Sequence, residues 1–156
     1  MSALSQIELY AGIGPNGQAV VERLQVHVND QDQCQLVRSP AFVKGVASGD
    51  VIKLGSDGKF ELIERSGNLA IRVIARDGIG DLADTITPEL EKLGGSLDVE
   101  TPRLLVYSIH VSCGFATIEA LFNGAMTEGS SWFYGKVYDP QTGEPLNWWN
   151  AILGQV

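Results

Sequence analysis

Two periodicities divide the chain. Over residues 20–28 apolar and polar side chains alternate, with Leu24, Val26 and Val28 on one side and Arg23, Gln25 and His27 on the other. That period of two marks a strand with one face covered. Over residues 79–93, Ile79, Leu82, Ala83, Ile86, Leu90 and Leu93 recur three and four apart, which is the apolar stripe of an amphipathic helix. Before about Ser66-Gly67 only the first pattern occurs; after it the two alternate.

The first part reads as short strands with turn punctuation. Residues 7–11, 20–28, 34–38, 49–54 and 59–65 are the predicted strands. Between them lie Gly12-Ile-Gly-Pro-Asn-Gly17, Asn29-Asp-Gln-Asp32 and Gly55-Ser-Asp-Gly58, built from residues that tolerate positive φ or preset a bend. Asp57-Gly58 between two strands is a hairpin signal. Strands this short and evenly spaced predict a small β-barrel-like sheet over residues 1–66.

The second part begins with a nearly continuous apolar strand, 69–75, and continues into the helix over 79–93. Asp77 is the candidate N-cap, Gly94-Gly95 the stop. Pro88 falls inside this pattern, where a proline kinks a helix or, with Thr87 as cap, starts a new one. Strands over 96–100 and 103–111, a helix over 115–125 with Ser112 as candidate cap, and a strand over 132–138 complete the order β-α-β-β-α-β. That order is the ferredoxin-like pattern. The expected fold is therefore α+β, a β-barrel-like half followed by a ferredoxin-like βαββαβ half at 67–140, with residues 141–156 as an aromatic tail packed on the body.

Several segments resemble an uncharacterised bacterial family, domain of unknown function 4265. They are Ser39-Pro-Ala-Phe-Val-Lys-Gly-Val-Ala-Ser-Gly-Asp-Val-Ile52, Gly67-Asn68 ahead of the strand, and Leu90-Glu-Lys-Leu-Gly-Gly95 closing the first helix. The resemblance implies a small protein with no assigned activity and no assigned catalytic residues.

Composition narrows the function classes. The formal net charge of −8 repels phosphate backbones and anionic membranes, and favours a basic partner. A ferredoxin-like sheet reads RNA by stacking bases on aromatics, but Tyr107 is the only aromatic of the two central strands. No apolar run approaches the length of a membrane span, and the N-terminus lacks a signal-peptide pattern, so the expected location is cytoplasmic. Two cysteines, Cys34 and Cys113, are too few for a disulfide framework. Two histidines and two cysteines at 27, 34, 110 and 113 do not make a zinc set, and no cofactor motif is present. Gly12–Gly17 lacks the Gly-Lys-Ser/Thr of a phosphate loop.

The candidate catalytic pair is Cys113 with His110. The thiol would sit at a helix N-terminus, where dipole and free N–H groups favour a thiolate, with an imidazole three residues upstream. Lys44, Ser48 and Asp50 are candidates to line a groove between the halves. Against that, Asp50 is placed for turn capping, while Phe42, Val43 and Val46 are expected to fill the barrel end. Half of the aromatic residues lie from Trp132 onward. Trp148 and Trp149 are the candidate binding residues of the tail, since tryptophan dominates interface hot spots; packing on the body is the competing expectation. Two functions follow. One is a non-enzymatic regulatory or immunity-like module that binds a protein or itself as a homodimer. The other is a small enzyme or small-molecule sensor with a pocket between the halves that uses Cys113 and His110.

Overall fold

The computed structural model describes residues 3–14, 16–43, 45–55 and 58–135. Within them the chain forms β1 (Ala3–Ile13), β2 (Ala19–Val28), β3 (Cys34–Leu36), β4 (Val51–Leu54), β5 (Phe60–Glu64), β6 (Asn68–Ala75), α1 (Ile79–Lys92), β7 (Ser96–Glu100), β8 (Leu104–His110), α2 (Phe115–Ala125) and β9 (Ser130–Tyr134), with a 3₁₀ turn, Val111–Cys113, before α2. The protein is α+β, with two antiparallel sheets. No helix among the described residues is long and apolar enough to cross a membrane.

The first sheet is a meander in the order β1-β2-β3-β4-β5. Alternation places Leu9, Leu24, Val26, Cys34, Leu36 and Ile52 on its inner face, all buried. The predicted barrel does not close: β1 and β5 are the two edges of an open sheet. A barrel needs edge-to-edge hydrogen bonds with a fixed stagger, and no local pattern specifies them. β1 and β2 are 11 and 10 residues long while β3 and β4 have 3 and 4, so the first hairpin outruns its neighbours. The sheet curls far enough that Gly58, at φ +74°, comes up against the backbone of Tyr10. The open end is plugged by residues 39–50, whose Val43 and Val46 join the core. Phe42 does not; it is 56% exposed.

The second sheet runs β7-β8-β6-β9. Leu69, Ile71 and Val73 of β6 pair with Ile109, Tyr107 and Leu105 of β8, and this face packs on Ile79, Leu82, Ile86 and Leu90 of α1 and Ile118 and Phe122 of α2. The register leaves Leu104, Val106 and Ser108 on the opposite face, with Ala70, Arg72 and Ile74. Trp132 and Tyr134 of β9 also join the helix side. Trp132 Nε1 donates to Asn123 Oδ1 (2.8 Å) and Tyr134 Oη to Glu119 Oε2 (3.0 Å). This part of the aromatic C-terminus is structural; residues 136–156, with Tyr138, Trp148 and Trp149, lie outside the described residues.

Three local expectations are corrected. The N-cap of α1 is Gly78, at φ 73°, with no side-chain cap bond, and not Asp77. A left-handed cap position admits glycine at little cost. The N-cap of α2 is Gly114 and not Ser112. Helix α1 continues through Pro88. Pro88 and Asp84, whose carbonyl loses its partner to the proline, both lie on the exposed face, where water serves that carbonyl and the usual cost is reduced. Gly94 and Gly95 end the helix as expected, donating to Glu91 and Leu90 carbonyls.

Candidate functional site

His110 and Cys113 make separate contacts. His110 ends β8 on the exposed side. Its Nδ1 accepts the Ser112 amide at 3.1 Å, and the Ser112 hydroxyl lies 2.7 Å from the same nitrogen. Because an amide can only donate, Nδ1 is the acceptor and the neutral ring carries its proton on Nε2. That nitrogen faces Gly67, where a Cβ would come within 2.5 Å of it. Cys113 is half-buried and packs against the helix-side core. No hydrogen bond joins the two among the described residues. No cluster of three or more metal-ligating side chains occurs among the described residues.

Asp50 is fully buried and therefore lines no groove. Its Oδ2 accepts the Ala47 amide (3.0 Å), and its Oδ1 accepts the Ser66 amide (2.8 Å) and hydroxyl (2.9 Å). The carboxylate ties the end of the 39–50 loop to the start of β6, a fuller version of its turn-capping role. Lys44 lies outside the described residues.

The loop itself is the distinctive feature. It belongs in sequence to the first half, yet it covers the second sheet's helix-free face. Glu22, on β2, accepts the amides of Ala41 (2.7 Å), Phe42 (2.9 Å) and Val43 (3.0 Å). Three successive N–H groups converging on one anion form a nest, here filled by the protein's own carboxylate. From the other side Arg72, on β6, donates through Nη2 to the carbonyls of Pro40 (3.3 Å) and Val43 (2.6 Å). Arg72 is 3% exposed. Burial pulls its guanidinium below the ordinary arginine range, and the charge of Glu22 offsets part of that. Its Nε has no hydrogen-bond partner among the described residues, a cost the other contacts of the group must offset. Gly135 lies against the guanidinium, where a Cβ would sit 3.2 Å from Cζ. Further along, Ser39 Oγ bonds Ser108 Oγ, Ser108 donates to Asp98 Oδ2, and the Ser39 amide donates to the same oxygen at 2.8 Å.

The clamp fixes the backbone of Pro40–Val43 and leaves the Phe42 side chain outside. Beside it a cavity of about 560 Å³ opens, lined by Phe42, Ile74, Leu104, Arg76, Arg103 and Ser131 among others. Ile74 is 44% exposed and Phe133 42%; both stand on the same helix-free face. Sequence reading placed Phe42 in the core because its neighbours Val43 and Val46 are there. The available signals were Arg72, the one charged residue in the apolar run 69–75, and Glu22 in an alternating strand.

A model of an uncharacterised family, the domain of unknown function 4265, matches residues 22–133. The chain belongs to this family. Members of the 4265 family have no assigned activity to transfer. The matched span contains Glu22, Phe42, Arg72, Arg76 and Arg103 and ends before the Trp148-Trp149 tail. No curated protein matches the chain. Among solved structures, "Novel crystal structure of a hypothetical protein from Neisseria gonorrhoeae" is similar with a TM-score of 0.63 at 17% identity, over 86% of this chain and 94% of that one. At that identity the likeness concerns the 4265 fold alone.

Proposed function

We propose that this protein acts by binding another protein, through the face that carries Phe42, and not by catalysis. The observation behind this is the contrast at Phe42: the side chain is 56% exposed while its backbone is held between Glu22 and Arg72. An aromatic anchor on a fixed backbone binds with little ordering cost, the property of an interface hot spot. Ile74 and Phe133 extend the apolar surface beside it. His110 engages Ser112 and has no hydrogen bond to Cys113 among the described residues, which gives no comparable support for an enzyme. A regulatory or immunity-type role in the bacterial cytoplasm suits such a surface. The strand order β9-β6-β8-β7, antiparallel with both helices on one face, supports reading the second half as ferredoxin-like, a scaffold that leaves one sheet face available.

The test is photo-crosslinking in cells, with benzoylphenylalanine at position 42 and, as control, at Ile13, which is exposed and does not line the groove. A discrete adduct from position 42 and none from position 13 is the expected result. Equal labelling from both, or none from either, ends the reading. Iodoacetamide titration checks the enzymatic alternative: Cys113 is expected to react no faster than a free thiol, and a much faster rate would restore it.

A further inference from the structure

The overall charge and the local charge point to opposite partners. A protein at −8 draws basic partners in its long-range field. The groove beside Phe42 has the other sign. Arg76 follows the end of β6 and Arg103 precedes β8, and the Ala75 amide donates to the Arg103 carbonyl at 3.1 Å, which brings the two arginine positions to the same end of the sheet. Both line the same cavity. Other cations of the molecule are engaged: Arg23 pairs with Glu8, Lys92 with Glu89, Arg65 donates to the Gly45 carbonyl, and Arg72 is buried in the clamp. The side chains of Arg76 and Arg103 have no hydrogen bond or ion pair among the described residues. The floor between them and Phe42 is Ile74 and Leu104, with Ser130 and Ser131 along one wall.

Resting on the binding role given above, we propose that the groove takes an acidic linear peptide segment of a partner protein. A carboxylate of the segment bridges Arg76 and Arg103, and a bulky apolar side chain next to it packs on Phe42, Ile74 and Leu104. Guanidinium groups hold carboxylates by paired, directed hydrogen bonds, and arginine clusters are a recurring means of reading acidic motifs. Exposed Phe133 stands on the same face, and apolar surface beyond the arginines suits an extended chain.

The experiment is phage display of short random peptides on the full-length protein at physiological salt, followed by fluorescence anisotropy on an enriched sequence. The expected outcome is enrichment of net-negative peptides containing a large apolar residue. Affinity should fall by at least about tenfold in Arg76→Ala/Arg103→Ala, and by a smaller factor in Phe42→Ala, with melting temperatures unchanged. Arg76→Lys/Arg103→Lys keeps the charge and should recover only part of the loss. Enrichment of lysine- and arginine-rich peptides, enrichment that survives the double alanine variant, or no enrichment at all overturns the proposal. If position 42 still crosslinks to one protein in cells while display selects no acidic peptide, the docking face stands and the chemistry of its occupant does not.

Discussion

The two faces of the second sheet are covered in opposite ways. On one face, helices α1 and α2 bury Leu69, Ile71, Val73, Leu105, Tyr107 and Ile109 against Ile86, Leu90, Ile118 and Phe122, all within 1% of full burial. On the other, a loop is held by Glu22, Arg72, Asp98 and Asp50 through directed bonds to its backbone. The apolar face stabilises by area and is tolerant of small shifts. The polar face specifies one geometry, because the buried charges Arg72 and Asp50 and the half-buried Glu22 and Asp98 lose partners if the loop moves. A layer of that kind also covers less: it leaves Phe42, Ile74 and Phe133 in water. Stability resides on one side of the sheet, and the proposed recognition surface lies on the other.

That division breaks most visibly at Phe122. Its ring meets Tyr107 at 5.7 Å and Trp132 at 5.5 Å between centroids. Phe122→Ala should cost about 3–5 kcal/mol, read as a shift of the denaturant midpoint, and a loss near zero would mean the helix side is not the stabilising one. Arg72→Ala comes next, at about 2–3 kcal/mol, from two carbonyls left without their charged donor. It should also raise hydrogen exchange at the amides of residues 41–43, whereas Phe122→Ala at equal stability should not. If both variants give the same exchange pattern, the loop is not separately clamped.

Tyr107→Phe probes a polar contact on the apolar side, the hydroxyl pair with Thr87 at 2.8 Å, and should cost about 1 kcal/mol. It also has a pH signature. Burial raises the Tyr107 phenol above its ordinary value, so the folded state keeps a proton that the unfolded state gives up. Its contribution is full below about pH 10 and declines as pH rises through the window above that. Burial also raises the Cys34 thiol, with the same sign and an earlier onset near pH 8.5. A chemical-denaturation series from pH 7 to alkaline conditions should show a shallower upper limb in Tyr107→Phe; an unchanged limb refutes the assignment. Smallest is Phe42→Ala, expected within about 0.5 kcal/mol of the parent. A large loss there would place Phe42 in the core after all.

The parts of this arrangement that follow a local period were legible in the sequence. The alternation at Leu24, Val26 and Val28 and the helical stripe from Ile79 to Leu90 locate β2 and α1 to within a residue or two. The caps were not, because Asp77 and Ser112 have suitable chemistry but glycine at 78 and 114 meets the backbone requirement more directly. Closure of the first sheet was not legible either, since it depends on pairing between strands far apart in sequence. The candidate site was missed for a related reason. Phe42 is apolar among apolar neighbours, and only the convergence of Glu22 and Arg72, 50 positions apart, turns it outward. His110 and Cys113 are near in sequence, but the strand-to-turn transition sends them to different surroundings.

The grammar of the chain changes at Ser66-Gly67, which invites cutting the gene there. The clamp argues against it. A fragment beginning at residue 67 would carry Arg72 with its carbonyl partners removed, on a face with nothing over it. The complementary fragment would keep Glu22 and the loop but lose the surface on which the loop lies. The halves are distinct in vocabulary and share one clamp: recombination between relatives should preserve residues 22 to 108 as one block, with the crossover points falling outside it.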